Sequence, residues 1–350
     1  MVEEINQNPA LSPDACHERL FRERTPLLRY NEGRDLAAWR EEVRAKLSEL
    51  IGDMPEHVPL NLRIEWEDDT ADYHEYRMLF DVECDTSVPA HLLVPKRAKK
   101  PCPAIICLQG HSTGMHISLA RPIYDKDDET IADGDRDFAL QAVKEGYAAM
   151  VIEQRAFGER ISQRIINHNP YYRTTCYLPA MAAQVLGRTL LGERVWDISR
   201  AIDALEKFSE IDAERIACMG NSGGGTATYY AACLDDRIKI AMPSCAVCSF
   251  SQSIGVLYHC ACNYVPNLGK YVDMGDLAVL IAPRPLVVVA GAKDTGFLLP
   301  GVEREYEIIK KIYSAVGAPD ACELVVGPEG HRFYANPSWD IFRRLSGWED

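Results

Sequence analysis

The hydrophobic pattern changes its period along the chain. Residues 34–52 set Leu36, Trp39, Val43, Leu47 and Leu50 at helical spacing with charges between them, which predicts an amphipathic helix that needs a surface to lie on. From about 61 to 95 the period shortens to two, and LRIEW, EYRMLFDVEC and VPAHLLVP read as consecutive strands, antiparallel at a sheet edge. PAIICLQ (103–109) is a nearly continuous apolar run of the kind found in strands buried on both faces. Beyond it, helices at 135–146, 192–208, 224–234, 302–317 and about 337–346 alternate with strands at 147–153, 215–220, 238–245, 285–291 and 323–328. Buried strands alternating with helices imply right-handed crossovers and an α/β architecture, a doubly wound, mainly parallel sheet. No repeat or linker interrupts the pattern. The expected organisation is one α/β domain over 61–350 behind an N-terminal helical extension, 1–60. Two stretches, 111–131 and 154–190, lack periodicity and each follows the carboxyl end of a strand, where open α/β sheets bind ligands; they read as lid-like insertions.

Charge and composition narrow the partners. With 38 basic and 52 acidic side chains the net charge is −14, which argues against a non-specific nucleic-acid binder and against docking on anionic membranes. A small molecule is the expected partner. The N-terminus shows no basic segment followed by an apolar one, so a reducing, cytoplasmic setting is expected for the twelve cysteines. Cys107 and Cys218 lie inside apolar runs and read as small packing residues. Cys245-x-x-Cys248 and His259-Cys260-Ala261-Cys262 bring four thiols and an imidazole into 18 residues. The one-residue gap of the second pair is not a usual zinc spacing, and Cys245 and Cys248 straddle a strand end, so reduced packing thiols, no metal and no cofactor are expected.

The sharpest chemical signal is Gly220-Asn221-Ser222-Gly223-Gly224-Gly225, between a strand and a helix. It fits G-x-S-x-G, in which a strained strand-to-helix turn exposes the serine above the sheet while glycines let strand and helix approach. Ser222 is the candidate nucleophile, and the Gly223 N–H, at a helix start, is a candidate oxyanion donor. A serine needs a base, and the base needs an orienting acid, in the chain order Ser, acid, His on such a sheet. Of nine histidines only His259 and His331 follow Ser222, and only His331, in GPEGHRF, also follows the strand PLVVVAG. Asp294 comes directly after that strand and is the candidate acid; Asp273, Asp276 and Asp320 are poorly placed, and Glu329 is expected to face solvent. The loop Gln109-Gly110-His111 offers a second oxyanion donor, the His111 N–H, with Gln109 a substrate contact. Arg155 is either a substrate contact or, as its position at a strand–insertion junction favours, a lid anchor paired with Glu153, Glu159 or an acid of the insertion.

Taken together, CLQGHSTG, IEQRAFGER, GNSGGG, LIAPRPLVVVAGAKD and GHRF resemble the α/β-hydrolase superfamily over most of the chain, and more closely its dienelactone hydrolase-like and acetyl xylan esterase-like branch. Dienelactone hydrolases proper carry a cysteine nucleophile where this chain has Ser222, and the usual His-Gly of the oxyanion loop is Gln109-Gly110. The resemblance implies an α/β-hydrolase fold and cleavage of a small carboxylic ester through an acyl-enzyme, with acylated sugars as a substrate class. A serine peptidase of prolyl-oligopeptidase type and a non-catalytic fold relative that binds a ligand are the competing readings. Oligomeric state, a homo-oligomer included, is left open.

Overall fold

Nine strands form a single sheet in the order β1-β2-β3-β5-β4-β6-β7-β8-β9. They are β1 Arg63–Asp69, β2 Tyr73–Glu83, β3 Thr86–Pro95, β4 Cys102–Leu108, β5 Ala148–Ile152, β6 Ile211–Asn221, β7 Ile238–Ser244, β8 Leu286–Gly291 and β9 Cys322–Gly327. The computed structural model describes residues 11–164 and 175–348. The first three strands are antiparallel to their neighbours and make one edge. From β5 across to β9 every pairing is parallel. This is the mainly parallel, doubly wound sheet that the alternation of apolar runs implies, and the α/β-hydrolase fold that the resemblance implies.

Two helical layers cover the sheet. The helices are α1 Asp14–Glu23, α2 Leu36–Ile51, α3 Asp127–Gly134, α4 Phe138–Lys144, α5 Tyr177–Val185, α6 Leu190–Leu205, α7 Gly223–Leu234, α8 Leu299–Ala315 and α9 Ala335–Ser346. β4 is buried throughout and shows why the sheet needs both layers. Ala104, Ile106 and Leu108 join the core under α2, α6, α7 and α8, while Ile105 and Cys107 join the core under α4 and α9. Helix α2 lies as its periodicity demands, with Trp39, Val43, Leu47 and Ile51 buried and Asp35 capping the amides of Ala37 and Ala38. The segment before it is tied down by Arg29, which reaches Glu305 at 2.8 Å and Asp276 at 3.1 Å.

Three helices depart from the pattern expected of the sequence. Residues 111–131 contain most of α3 and 154–190 contain α5, where no periodicity was visible; residues 165–174 of that stretch lie outside those described. The helix α1 has no buried residue at all. Short helices gain little from propensity, and their tertiary contacts decide whether they form. Helix α8 begins three residues before the expected Val302, with Pro300 in its first turn, a position where the missing N–H costs nothing. Among the described residues no helix is long and apolar enough to cross a membrane.

Candidate active site

The carboxyl ends of β4, β6, β8 and β9 converge on one cavity of about 220 Å³, lined by His111, Arg136, Ser222, His259, Cys260 and His331 among others. Ser222 follows β6 and precedes α7 with φ 57° and ψ −121°, a positive-φ conformation that a non-glycine residue adopts only under constraint. The constraint is visible. The Ser222 N–H donates to the Ser244 carbonyl at 2.8 Å, and its own carbonyl accepts from the Thr226 N–H at 2.8 Å. A Cβ on Gly224 would lie 2.3 Å from the Leu108 carbonyl oxygen, so the helix can approach β4 only with glycine there. The first N–H groups of α7 have no intrahelical partner, which leaves the Gly223 amide beside the serine as a donor for an anion.

His331 and Asp294 meet as a pair. The His331 Nδ1 is 2.8 Å from Asp294 Oδ2, and the imidazole stacks on Phe297 with centroids 5.9 Å apart. The other carboxylate oxygen of Asp294 accepts from the Gly296 N–H at 2.8 Å and the Phe297 N–H at 3.1 Å. Burial pushes this carboxyl up, but the hydrogen bond and charge of His331, with the two amides, hold it below its ordinary value. Asp294 therefore stays ionised and uses the Nδ1 of His331, leaving Nε2 for the cavity. The loop geometry is tight: a Cβ on Gly291, at the end of β8, would lie 1.9 Å from the Gly330 carbonyl oxygen. Among the described residues the Ser222 hydroxyl has no hydrogen-bond partner, so serine and imidazole both open onto the cavity.

Other candidates fall elsewhere. Gln109 turns inward: its amide donates to Ser118 Oγ and to the Arg136 carbonyl at 2.8 Å, so it positions the loops instead of touching a ligand. Arg155 likewise faces away from the cavity. It forms a two-pronged pair with Asp197 at 2.9–3.2 Å and another with Glu83 at 2.7 Å, not with Glu153 or Glu159. The reason is supply: β2 and α6 present carboxylates that the linear sequence keeps 38 or more residues away from the Arg155 guanidinium. Glu329 is exposed and paired with Lys293. Glu153 is buried and accepts from the Met115 and Glu159 amides, joining the two insertions; burial pushes its carboxyl up to about 7.

Two residues on the cavity, and one buried cysteine beside it, carry no signal in the sequence. Arg136 lies on the cavity, and among the described residues no carboxylate pairs with it. His259, set aside because it precedes the strand of the acid, points Nε2 at the Gly296 carbonyl at 2.9 Å and packs on Phe297. Cys176, from the aperiodic insertion, meets His111, Cys260 and Cys262, their ligand-type atoms all within 4.8 Å of one another. Cys245 and Cys248 do not join them: Cys245 Sγ lies 3.3 Å from the Arg332 carbonyl, and Cys248 Sγ 3.6 Å from the Leu298 carbonyl. The sulfur grouping suggested by sequence proximity is thus split, and a residue 84 positions from Cys260 completes it.

Residues 11–239 match the model of the Abhydrolase family. The chain belongs to that family. Abhydrolase relatives with curated sequences include "Putative hydrolase YtaP" of Bacillus subtilis (strain 168), 27% identical over 320 residues, spanning 88% of this chain and 99% of that protein. Among solved structures, a protein of Bacteroides fragilis titled a "putative acetyl xylan esterase" superposes with a TM-score of 0.76 at 18% identity, covering 96% of this chain and 89% of that one. The glucuronoyl esterase of Solibacter usitatus superposes with a TM-score of 0.70 at 16% identity, covering 92% and 97%. At these identities the likeness is one of fold.

Proposed function

We propose that this Abhydrolase family member is a serine hydrolase of carboxylic esters. The observation that carries the reading is the shared cavity: Ser222, held at a positive-φ strand-to-helix turn, and His331, whose Nδ1 is held by Asp294, open onto the same space. In this mechanism Ser222 Oγ attacks the acyl carbon while His331 Nε2 takes the hydroxyl proton. Asp294 fixes the imidazole tautomer and stabilises the imidazolium. The Gly223 and His111 N–H groups are the donors to the oxyanion of the tetrahedral intermediate. The C–O bond to the alcohol then breaks, the alcohol leaving with the proton from Nε2. Water repeats the sequence on the acyl-enzyme, releasing the acid and restoring Ser222.

The substrate class follows from the cavity. Its volume of about 220 Å³ is below the range for drug-sized ligands, which favours a short acyl group. Its lining is largely polar, and Arg136 offers a charge to an acidic or polyhydroxylated substrate. Structural neighbours named for acetyl xylan and glucuronoyl ester cleavage support sugar esters. The test is a turnover panel: aryl acetate, butyrate and octanoate, acetylated xylo-oligosaccharides, a methyl glucuronate ester and a proline-peptide anilide. The expected order places the short and sugar esters first and the octanoate last. Faster cleavage of the anilide than of every ester overturns the reading in favour of a peptidase.

A further inference from the structure

We propose that His111, Cys176, Cys260 and Cys262 bind one zinc-like divalent ion beside the catalytic cavity. This is a site apart from the ester chemistry and does not depend on it. The four side chains come from three crossovers that the sheet brings together. His111 is in the loop after β4, Cys176 is at the N-terminus of α5, and Cys260 precedes and Cys262 lies within a turn at Ala261–Asn263 after β7. Their ligand atoms lie within 4.8 Å of one another, with His111 Nε2 at 3.2 Å from Cys262 Sγ and 3.8 Å from Cys176 Sγ. Zinc takes sulfur at ~2.3 Å and imidazole nitrogen at ~2.0–2.1 Å, and a tetrahedron of those arms puts its corners ~3.5–3.8 Å apart. The observed separations bracket that range.

A second observation points to the same ligand. Arg194 is buried, 1% exposed, and among the described residues it makes no ion pair with a carboxylate. Its guanidinium donates twice to the Arg155 carbonyl, at 3.1 and 2.7 Å, and lies 3.3 Å from Cys176 Sγ. It also covers the Phe157 ring at 4.2 Å, and that ring meets His111 edge-on at 5.0 Å. A buried cation requires a counter-charge. Three neutral thiols supply none. Three thiolates around a divalent ion carry a net charge of −1, which the guanidinium balances to zero. A disulfide between any two of the cysteines leaves Arg194 unbalanced and the third thiol without a role. Binding exchanges three thiol protons for the ion, with no change of oxidation state. Four protein ligands complete the tetrahedron, as in structural sites, so the ion would tie the 154–190 insertion and the segment after β7 to the loop carrying the His111 N–H and take no part in the bond-making steps.

The experiment is elemental mass spectrometry of the full chain, purified under reducing conditions without added metal, alongside cobalt(II) reconstitution of the stripped protein. About one zinc per chain, and thiolate-to-cobalt charge-transfer absorption, are expected. Cys176→Ser and Cys262→Ser should lose the ion; if these buried variants do not fold, Cys260→Ser, at the partly exposed ligand, should fold and bind zinc at least about tenfold more weakly. Cys84→Ser, an exposed control, should keep a full equivalent. Protein that contains no transition metal as isolated and takes up neither zinc nor cobalt overturns the proposal. So does a Cys260→Ser variant that binds as tightly as the parent. Neither outcome bears on ester hydrolysis, which is read separately on the substrate panel.

Discussion

Of the three histidines that line the cavity, two have partners that give them opposite tasks. His331 is held through Nδ1 by a buried carboxylate, 2.8 Å away, which leaves Nε2 facing the cavity and suited to moving a proton. His111 has its Nε2 turned to sulfur, 3.2 Å from Cys262, which removes that nitrogen from the cavity. The difference lies in the partner and not in the ring. An oxygen anion at Nδ1 fixes the tautomer of an imidazole and frees its other face, whereas a set of thiols at Nε2 suits a fixed, ligating role. One side of the cavity thus suits proton transfer and the other suits holding loops.

The largest effects should fall on the carboxylate side. Ser222→Ala and His331→Ala should each reduce turnover on a short ester by on the order of 10⁴-fold or more, with unchanged circular dichroism and melting temperature. Equal losses in the double variant would show that the two act as a unit. Next, Arg155→Leu tests the lattice behind the sulfur side, because the Arg155 carbonyl holds Arg194 while its guanidinium neutralises Asp197, Glu83 and Glu193. Removing that cation leaves Asp197 with Arg160 alone and makes Glu83 and Glu193 share Arg188, and should cost about 3 kcal/mol in denaturant unfolding. A loss under 1 kcal/mol would detach the two halves of the comparison.

A pH effect belongs to Glu153, which joins the two insertions through the Met115 and Glu159 amides. Its carboxyl is raised from the ordinary 4.5 to about 7, so the folded state holds the proton more tightly than the unfolded one. Stability should therefore be greatest below pH 4.5 as far as this group is concerned, fall as pH rises from 4.5 to about 7, and be level above that. The loss amounts to about 3 kcal/mol, from 1.36 kcal/mol per pH unit. Glu153→Gln should abolish that slope, as read from unfolding curves between pH 4 and 8. Smallest is His111→Ala, which keeps the backbone N–H but frees the loop. It should lower turnover by roughly tenfold to a hundredfold, the size of a displaced oxyanion donor, while Ser222 still reacts with an acylating inhibitor. A loss as deep as that of His331→Ala would erase the distinction between the two histidines.

How much of this the sequence showed depends on the range of the interaction. The core strands and α7 were legible because burial on both faces and the strand–turn–helix motif are local signals. Ser222 was nominated by its G-x-S-x-G turn and Asp294 and His331 by chain order, each at a strand end, and the fold brings the last two into contact. Short helices such as α5 were hidden, since nothing local distinguishes a one- or two-turn helix from a loop until it packs. Arg155 drew the wrong partners because Asp197 and Glu83 belong to other layers of the fold. The same blindness split the sulfur cluster: Cys260 and Cys262 were grouped with their sequence neighbours Cys245 and Cys248, whereas the crossovers after β4 and β5 supply His111 and Cys176. Motifs carried by one turn, and partners fixed by chain order, are readable; a cluster assembled across crossovers without such an order is not.

The central claim is that Ser222 is the nucleophile, and the most direct measurement is the mass of the protein after treatment with a fluorophosphonate. One covalent adduct per chain, mapped to the peptide containing Ser222, absent in Ser222→Ala and strongly slowed in His331→Ala, is the predicted result. An adduct on another residue, or full labelling of Ser222→Ala, would contradict it.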